Sequence, residues 1–343
     1  MSAPHRHRQA AVAAPRRERL GLDADRVLTM YRQIMLARLL DERMSVLNRQ
    51  GRAPFMISGQ GQEGTQVAAA AALRPGRDWL CPYYRDLAFC LAMGMTPLEV
   101  MLGVFSRAAD PTSGGRQMPA HYGLRRLRIV SGSSVVATQV VHAAGIAYAS
   151  RVRGEDDVTV VCAGDGSTSE GDFHEGLNFA GIHRLAVICL VQDNEYAISV
   201  PHRLQMTVDS VADRAASYGW AGATVDGTDV LGVYEVMVEA VRRARSGGGP
   251  TLIDAKVTRF SSHSSDDDQR RYRPATELSD LPRHDPLLRL RSELLEERTL
   301  TEARDRELRR DCEREVEEAV REAEASPSPD PADIGRHVLA EED

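Results

Sequence analysis

Asp165 stands between two glycines, Gly164-Asp165-Gly166, directly after the apolar run Val158-Thr159-Val160-Val161-Cys162-Ala163. Glycines on either side let the backbone turn tightly and approach a bulky anion while the carboxylate projects from the strand end. Asn194 follows 29 residues later, after a second apolar run over 185–191. Magnesium prefers octahedral oxygen coordination and shares its shell with phosphate and water. One carboxylate, one side-chain amide oxygen and one nearby backbone carbonyl would leave positions for a diphosphate. Taken alone, the Gly-Asp-Gly triplet reads more readily as a tight strand-to-helix turn. A dinucleotide fingerprint is the other competitor, but the third glycine falls at Gly171, too late for it.

The elements that must place these two residues are legible around them. The run from Val158 is short, β-branched and continuously apolar, which predicts a parallel strand covered on both faces. Ser169-Glu170-Gly171-Asp172 carries helix-start signals, and Phe173, Leu177 and Ala180 continue one helical face to about Ile182. The helix N-terminus would add free N–H groups and a partial positive charge near the anion. The 185–191 strand then leads into Gln192-Asp193-Asn194-Glu195-Tyr196. Two polar loops therefore leave the carboxyl ends of two parallel strands, where open α/β sheets bind ligands.

Elsewhere, apolar positions from Val27 to Met44 recur at helical spacing, and 65–73 and 96–105 suit two further helices. The Gly/Pro/Ser-rich stretch 109–124 predicts an ordered loop. A strand over 251–257 runs into the polar loop Ser261-Ser262-His263-Ser264-Ser265-Asp266-Asp267-Asp268, and 286–325 reads as a charged helical region. The fold class is α/β, a mostly parallel sheet with helices on both faces and a helical C-terminal region. Residues 1–25 are expected to be a flexible N-terminal arm and 26–343 a single domain, with the C-terminal helices starting at about 286.

Net charge −7 and a mean apolar content of 42% fit a globular chain whose partners are small molecules and proteins. They disfavour non-specific binding to nucleic acid or to an anionic membrane surface. The five cysteines are scattered, with no CxxC pair, and read as thiols in a reducing compartment. No apolar run approaches the roughly 20 residues that cross a bilayer. The N-terminus lacks a hydrophobic signal core, so a cytoplasmic location is expected. Arginines near the N-terminus mimic a presequence, but Lys256 is the sole lysine of the chain, so arginine there carries little targeting information.

A Gly-Asp-Gly triplet, a helix, a second strand and a terminal Asn together resemble the signature of thiamine-diphosphate enzymes. Beyond that motif, the chain from about residue 26 resembles the E1 α subunits of 2-oxo acid dehydrogenase complexes, and so the thiamine-diphosphate-binding fold. The resemblance implies Mg²⁺ bound by Asp165, Asn194 and the backbone carbonyl of Tyr196, with Gly164 and Gly166 beside the cofactor. Tyr83-Tyr84-Arg85-Asp86 is similar to the family segment whose Tyr and Arg touch the diphosphate, here Tyr84 and Arg85. A planar guanidinium suits that task. In Ser133-Ser134-Val135-Val136-Ala137-Thr138-Gln139, the resemblance gives Ser134 and Val136 to the cofactor pocket. It makes Ser133, Thr138 and Gln139 candidates for a structural K⁺, although the stretch would serve equally in packing.

His263 matches the family histidine that takes part in acylating the lipoyl group and contacts the cofactor, and imidazole chemistry near neutral pH suits such proton transfer. Ser264 matches a position phosphorylated in some relatives. Two departures stand out. Ser262 replaces a second histidine often found before the catalytic one, and Gln192-Asp193 stands where relatives carry Arg-Asn, so anion binding should lean on Arg85 and the helix N-terminus.

The segments Gly115-Arg116-Gln117-Met118-Pro119-Ala120-His121-Tyr122-Gly123 and Ser169-Glu170-Gly171-Asp172-Phe173-His174 look most like the branched-chain enzymes. The implied activity is oxidative decarboxylation of a branched-chain 2-oxo acid, in branched-chain amino acid catabolism, with acyl transfer to the lipoyl domain of the E2 acyltransferase. The implied partner is an E1 β subunit in an α2β2 heterotetramer, which would supply the glutamate that activates the cofactor. Pyruvate or acetoin as substrate, a non-catalytic cofactor-binding subunit and a nicotinamide-binding protein are the alternatives. His121 and His174 carry no catalytic assignment.

Overall fold

The computed structural model describes residues 15–336 and 338–339. In chain order the elements are α1 (Arg16–Arg19), α2 (Ala24–Arg49), α3 (Glu63–Ala71), β1 (Trp79–Cys81), α4 (Leu87–Ala92), α5 (Pro97–Val104), α6 (Thr138–Arg153) and β2 (Thr159–Gly164). There follow α7 (Gly171–Ile182), β3 (Val187–Asp193), β4 (Tyr196–Ala197), β5 (Val200–Pro201), β6 (Ala221–Asp226), α8 (Val230–Arg245), β7 (Thr251–Lys256), α9 (Ala275–Asp280), α10 (Pro286–Glu296) and α11 (Glu302–Ala325).

Five strands pair in the order β1-β2-β3-β7-β6, every pair parallel. The continuous apolar runs have their cause in the layering. In β2, Val160 and Cys162 enter one core while Val161 enters the other. In β3, Ile188 and Leu190 face the first and Cys189 and Val191 the second. The larger core is closed by α2, α3, α4, α5, α8, α10 and α11, the smaller by α6 and α7. Edge strand β6 alternates half-buried and exposed positions, so it lacks an apolar run.

The register sets the site. Gly164 is paired with Gln192, so β2 and β3 end side by side and release Asp165 and Asn194 at neighbouring strand ends. Helix α5 starts where Thr96 accepts from the Glu99 backbone and Glu99 accepts in return from the Thr96 backbone, with Pro97 in the first turn.

The N-terminal boundary differs from the expected arm at residue 25. Residues 1–14 lie outside the described residues, but from Pro15 the chain is part of the body. Leu22 is buried in the main core and Arg16 pairs with Asp229 at 2.6 Å, which ties α1 to the start of α8. An arginine-rich, aperiodic stretch gives no periodicity to reveal this docking.

A buried ion triad fastens the helical layer under the site. Arg38 on α2 donates to both oxygens of Glu63 on α3, at 2.5 and 3.1 Å, and to Asp285 at the cap of α10, at 2.9 Å. Its guanidinium also lies 5.4 Å from the centre of the Phe260 ring. Removing the cation leaves two buried carboxylates facing each other. Arg38→Met should therefore lower unfolding free energy by about 3–5 kcal/mol, measured as a shift in the denaturant midpoint with little change in slope.

Candidate active site

Asp165 leaves β2 almost fully buried, 1% exposed, and its Oδ2 accepts from Gln205 Nε2 at 2.8 Å. Burial, and after it the nearby Asp193, lift its carboxyl to about 6. Neither flanking glycine has positive φ. Gly166 is required by close approach instead, since a Cβ there would lie 2.7 Å from that of Ala197. The helix starts within the Ser169–Asp172 signals, not at the triplet. A 3₁₀ turn, Asp165–Ser169, intervenes, and α7 begins at Gly171. The backbone donors nearest Asp165 in sequence thus belong to that turn.

Across from Asp165, the Asn194 Oδ1 atom is buried with no hydrogen-bond partner among the described residues. Glu195 adopts φ 66°, and the chain then reverses so that Tyr196 and Ala197 pair antiparallel with Pro201 and Val200. The Tyr196 hydroxyl donates to Glu277 Oε2 at 2.8 Å. Lys256 pins the strand end from below, donating to Asp193 Oδ2 at 2.6 Å and pairing with Asp254 at 2.9 Å. A buried carboxylate lifted by desolvation and a buried amide oxygen without a donor form a hard oxygen set that a small divalent cation would satisfy.

The opposite wall carries the cations. Arg85, after β1, is 2% exposed. Its Nη1 donates to the Ser58 carbonyl at 2.8 Å, and its Nη2 to the His263 carbonyl at 2.9 Å and to His263 Nδ1 at 3.1 Å. Arginine only donates, so Nδ1 accepts and the neutral ring carries its proton on Nε2. Tyr84 presents its ring 5.2 Å from the Arg85 guanidinium carbon and 6.0 Å from the His263 ring. Burial first, then the positive charges of Arg85 and Arg259, lower His263 to about 4 against a small opposing pull from Asp267. Asp267 also accepts from the His263 backbone N–H at 2.8 Å and from the Tyr272 hydroxyl. Ser262 Oγ accepts from the Gln269 backbone at 3.1 Å, so this departure from the family pattern caps the loop. Gln192 is fully buried, donating to Asp86 at 2.6 Å and accepting from Gln66 at 2.9 Å.

A cavity of about 430 Å³ joins these walls. Tyr84, Arg85, Ser134, Val136, Gly164, Asp165, Gly166, Asn194, Tyr196 and His263 all line it. Ser133, Thr138 and Gln139 do not line it and gather at the start of α6. There Ser133 Oγ accepts from the Val135 N–H, Thr138 Oγ1 donates to Asp172 at 3.3 Å and Gln139 Nε2 donates to the Cys162 carbonyl at 2.9 Å. Gln139 Oε1 is buried without a partner among the described residues.

The cavity also has walls that sequence reasoning passed over. Phe55, Ile57, Met118 and Ile198 make one apolar, while Glu170, Ser167 and His121 add polar groups. The run Pro54-Phe55-Met56-Ile57 was the available signal, since an apolar stretch without periodicity after a helix suggests a lining loop. His121 Nδ1 lies 3.0 Å from the Met118 carbonyl, so it donates there and Nε2 accepts from the Ser134 hydroxyl. His174 is engaged by the Tyr218 hydroxyl and does not line the cavity.

A parallel sheet with paired polar strand ends, a buried carboxylate beside an unpartnered amide oxygen and a facing guanidinium are an arrangement that suits a diphosphate-type cofactor. The chain belongs to the dehydrogenase E1 component family, whose sequence model matches residues 31–332, a family that uses thiamine diphosphate. Among its relatives is the 2-oxoisovalerate dehydrogenase subunit alpha of Bacillus subtilis, 47% identical over 95% of this chain and 98% of that protein. The 3-methyl-2-oxobutanoate dehydrogenase subunit alpha of Mycobacterium tuberculosis is 41% identical over 82% of this chain and 74% of its own length. The pyruvate dehydrogenase E1 component subunit alpha of Bacillus subtilis is 34% identical over 91% and 82%.

The depressed His263 value has a consequence for stability. The folded ring binds its proton more weakly than the unfolded one, so its contribution is complete above about pH 6.5 and is lost as pH falls toward about 4. His263→Gln should therefore flatten the fall of Tm between pH 6.5 and 4 relative to the parent, as measured by thermal denaturation across that window.

Proposed function

We propose that the chain is the α subunit of a thiamine-diphosphate-dependent branched-chain 2-oxo acid dehydrogenase, acting on acids of the 3-methyl-2-oxobutanoate type and passing the acyl group to the lipoyl group of E2. The observation that carries this reading is one cavity holding the Asp165 and Asn194 oxygens on one side, Arg85 and His263 on the other, and an apolar wall between. Asp165, Asn194 and the Tyr196 carbonyl would hold Mg²⁺. Arg85 and Tyr84 would meet the diphosphate, with Gly164 and Gly166 leaving room along the backbone, and Ser134 and Val136 would flank the aminopyrimidine. When bound, thiamine diphosphate supplies the ring that accepts electrons as carbon dioxide leaves.

The rest of the chemistry belongs to this chain's side chains. Phe55, Ile57, Met118 and Ile198 offer a branched aliphatic group an apolar surface, which favours a branched substrate over pyruvate. His263, neutral at physiological pH with its proton on Nε2, can donate a hydrogen bond from Nε2–H to the sulfur that gains charge as the lipoyl disulfide opens. Gln139 Oε1, buried and unpartnered, supports a K⁺ beside Ser133 and Thr138.

A β subunit would complete the site in an α2β2 assembly. The exposed stripe Val141, Tyr148 and Val152 on α6, continued by Phe179 and Ile182 on α7, supports such a partner. No helix among the described residues is long and apolar enough to cross a membrane, in keeping with a cytoplasmic enzyme.

With a β subunit, Asp165→Ala should abolish Mg²⁺-dependent cofactor binding in calorimetry, and wild-type affinity would refute the metal site. His263→Ala should leave that binding within a few-fold and lower lipoyl acylation by about 10²–10³-fold, the usual worth of one positioned hydrogen-bond donor. A panel of 2-oxo acids should show higher kcat/KM for branched acids than for pyruvate. Cofactor binding without decarboxylation of any acid would identify a non-catalytic subunit instead.

A further inference from the structure

Asp41 lies on α2, is fully buried, and belongs to neither wall of the cavity. Its Oδ1 accepts from Ser58 Oγ at 2.9 Å and Gln60 Nε2 at 3.0 Å, and its Oδ2 from the Gly59 backbone N–H at 2.8 Å. Three donors from three successive residues converge on one carboxylate. Burial, with a contribution from Glu63, raises its carboxyl to about 6 against the pull of those donors, so the group is mostly ionised at neutral pH.

The segment Asp41 grips is the one on which the active-site loop is hung. The Ser58 carbonyl accepts from Arg85 Nη1 at 2.8 Å, and a Cβ on Gly59 would come within 2.7 Å of the Arg85 carbonyl. The Gln60 carbonyl accepts from the Phe260 N–H at 3.2 Å and the Met56 carbonyl from the Ser265 N–H at 3.1 Å. Ser261 Oγ reaches Ser58 Oγ at 3.3 Å. Residues 56–60 thus fix Arg85 on one side and both flanks of His263 on the other. Arg85 closes the chain by donating to the carbonyl and the Nδ1 of His263.

We propose that Asp41 is a positioning residue that, through Ser58 and Arg85, sets the orientation and tautomer of His263. An ionised carboxylate suits the task because it takes all three donors at once and gives the turn one arrangement. The charged groups facing His263 are Arg85, Arg259 and Asp267. Arg85 is the one that depends on the Asp41 clamp.

The inference rests on and deepens the reading of His263 as the hydrogen-bond donor in lipoyl acylation. Its test needs no turnover, so the two can fail separately. In the assembled α/β protein, the rate at which diethyl pyrocarbonate labels His263 is followed by peptide mass spectrometry at pH 5.5 and 7.5, since only neutral imidazole reacts. With His263 held near 4, the parent ratio of the two rates should be close to one. In Asp41→Asn, which keeps the size but opposes an amide to the Gly59 N–H, the ratio should fall several-fold, toward the tenfold or so expected of imidazole at its ordinary value near 6.5. Ser58→Ala removes one gripped hydroxyl and should move the ratio the same way by less. It decides the matter alone if Asp41→Asn does not assemble. A ratio near one in the variants, or a drop in Tm with the parent ratio, would overturn the proposal.

Discussion

Two guanidinium groups buried without a carboxylate partner impose the constraint around which this site is built. Arg85 and Arg259 are 2% and 1% exposed, and neither is in an ion pair among the described residues. Arg85 meets only carbonyl oxygens, an imidazole nitrogen and the face of Tyr84. Arg259 donates to the Ile198 carbonyl and the Tyr272 hydroxyl, while its Nε and Nη1 find no acceptor. Arg38, similarly buried, has two carboxylates. An uncompensated buried charge costs several kcal/mol, which a fold tolerates where a ligand later offsets it. On the other wall Asn194 Oδ1 has no donor among the described residues, and burial lifts the Asp165 carboxyl to about 6. A metal-bound polyanion would suit both walls at once, whereas either wall alone would accept only half of it.

Holding such opposed groups apart requires a stiff frame. The β2–β3 register delivers Asp165 and Asn194 to adjacent strand ends, and strands covered on both faces leave them no freedom to slide. The cationic wall hangs on residues 56–60, which belong to no regular element and are fixed by Asp41 and by backbone bonds to the His263 loop. One wall is therefore as rigid as the sheet. The other is held by the hydrogen bonds of a loop.

What the sequence revealed follows the same division. Buried strands β2 and β3 announced themselves as apolar runs because both their faces are covered, and α2 did so by helical spacing. Edge strand β6, with alternate residues exposed, and helix α6, whose outer stripe is itself apolar, offered no such contrast. In the site, Asp165, Asn194, Arg85 and His263 were legible because each sits in a short motif. Asp41, Gln205 and the apolar wall were not, because their roles depend on contacts with residues far along the chain, such as the 40 positions between Gln205 and Asp165. The start of α7 was legible in Ser169-Glu170-Gly171-Asp172, whereas the 3₁₀ turn between it and β2 carried no signal of its own.

Gln192 shows how a departure from a family pattern can be absorbed. An arginine at that position would add a second cation beside Arg85. Glutamine instead turns into the interior and donates to Asp86, whose carboxyl is lifted by burial to about 7. Gln66 joins the pair and also holds the Arg85 carbonyl at 3.0 Å and the Ala88 N–H at 3.1 Å. A neutral amide suits this carboxyl, because burial already disfavours its charged form and the amide sets no further charge beside it. Through Gln66 the glutamine thus braces the backbone of Arg85, the arginine that lines the cavity.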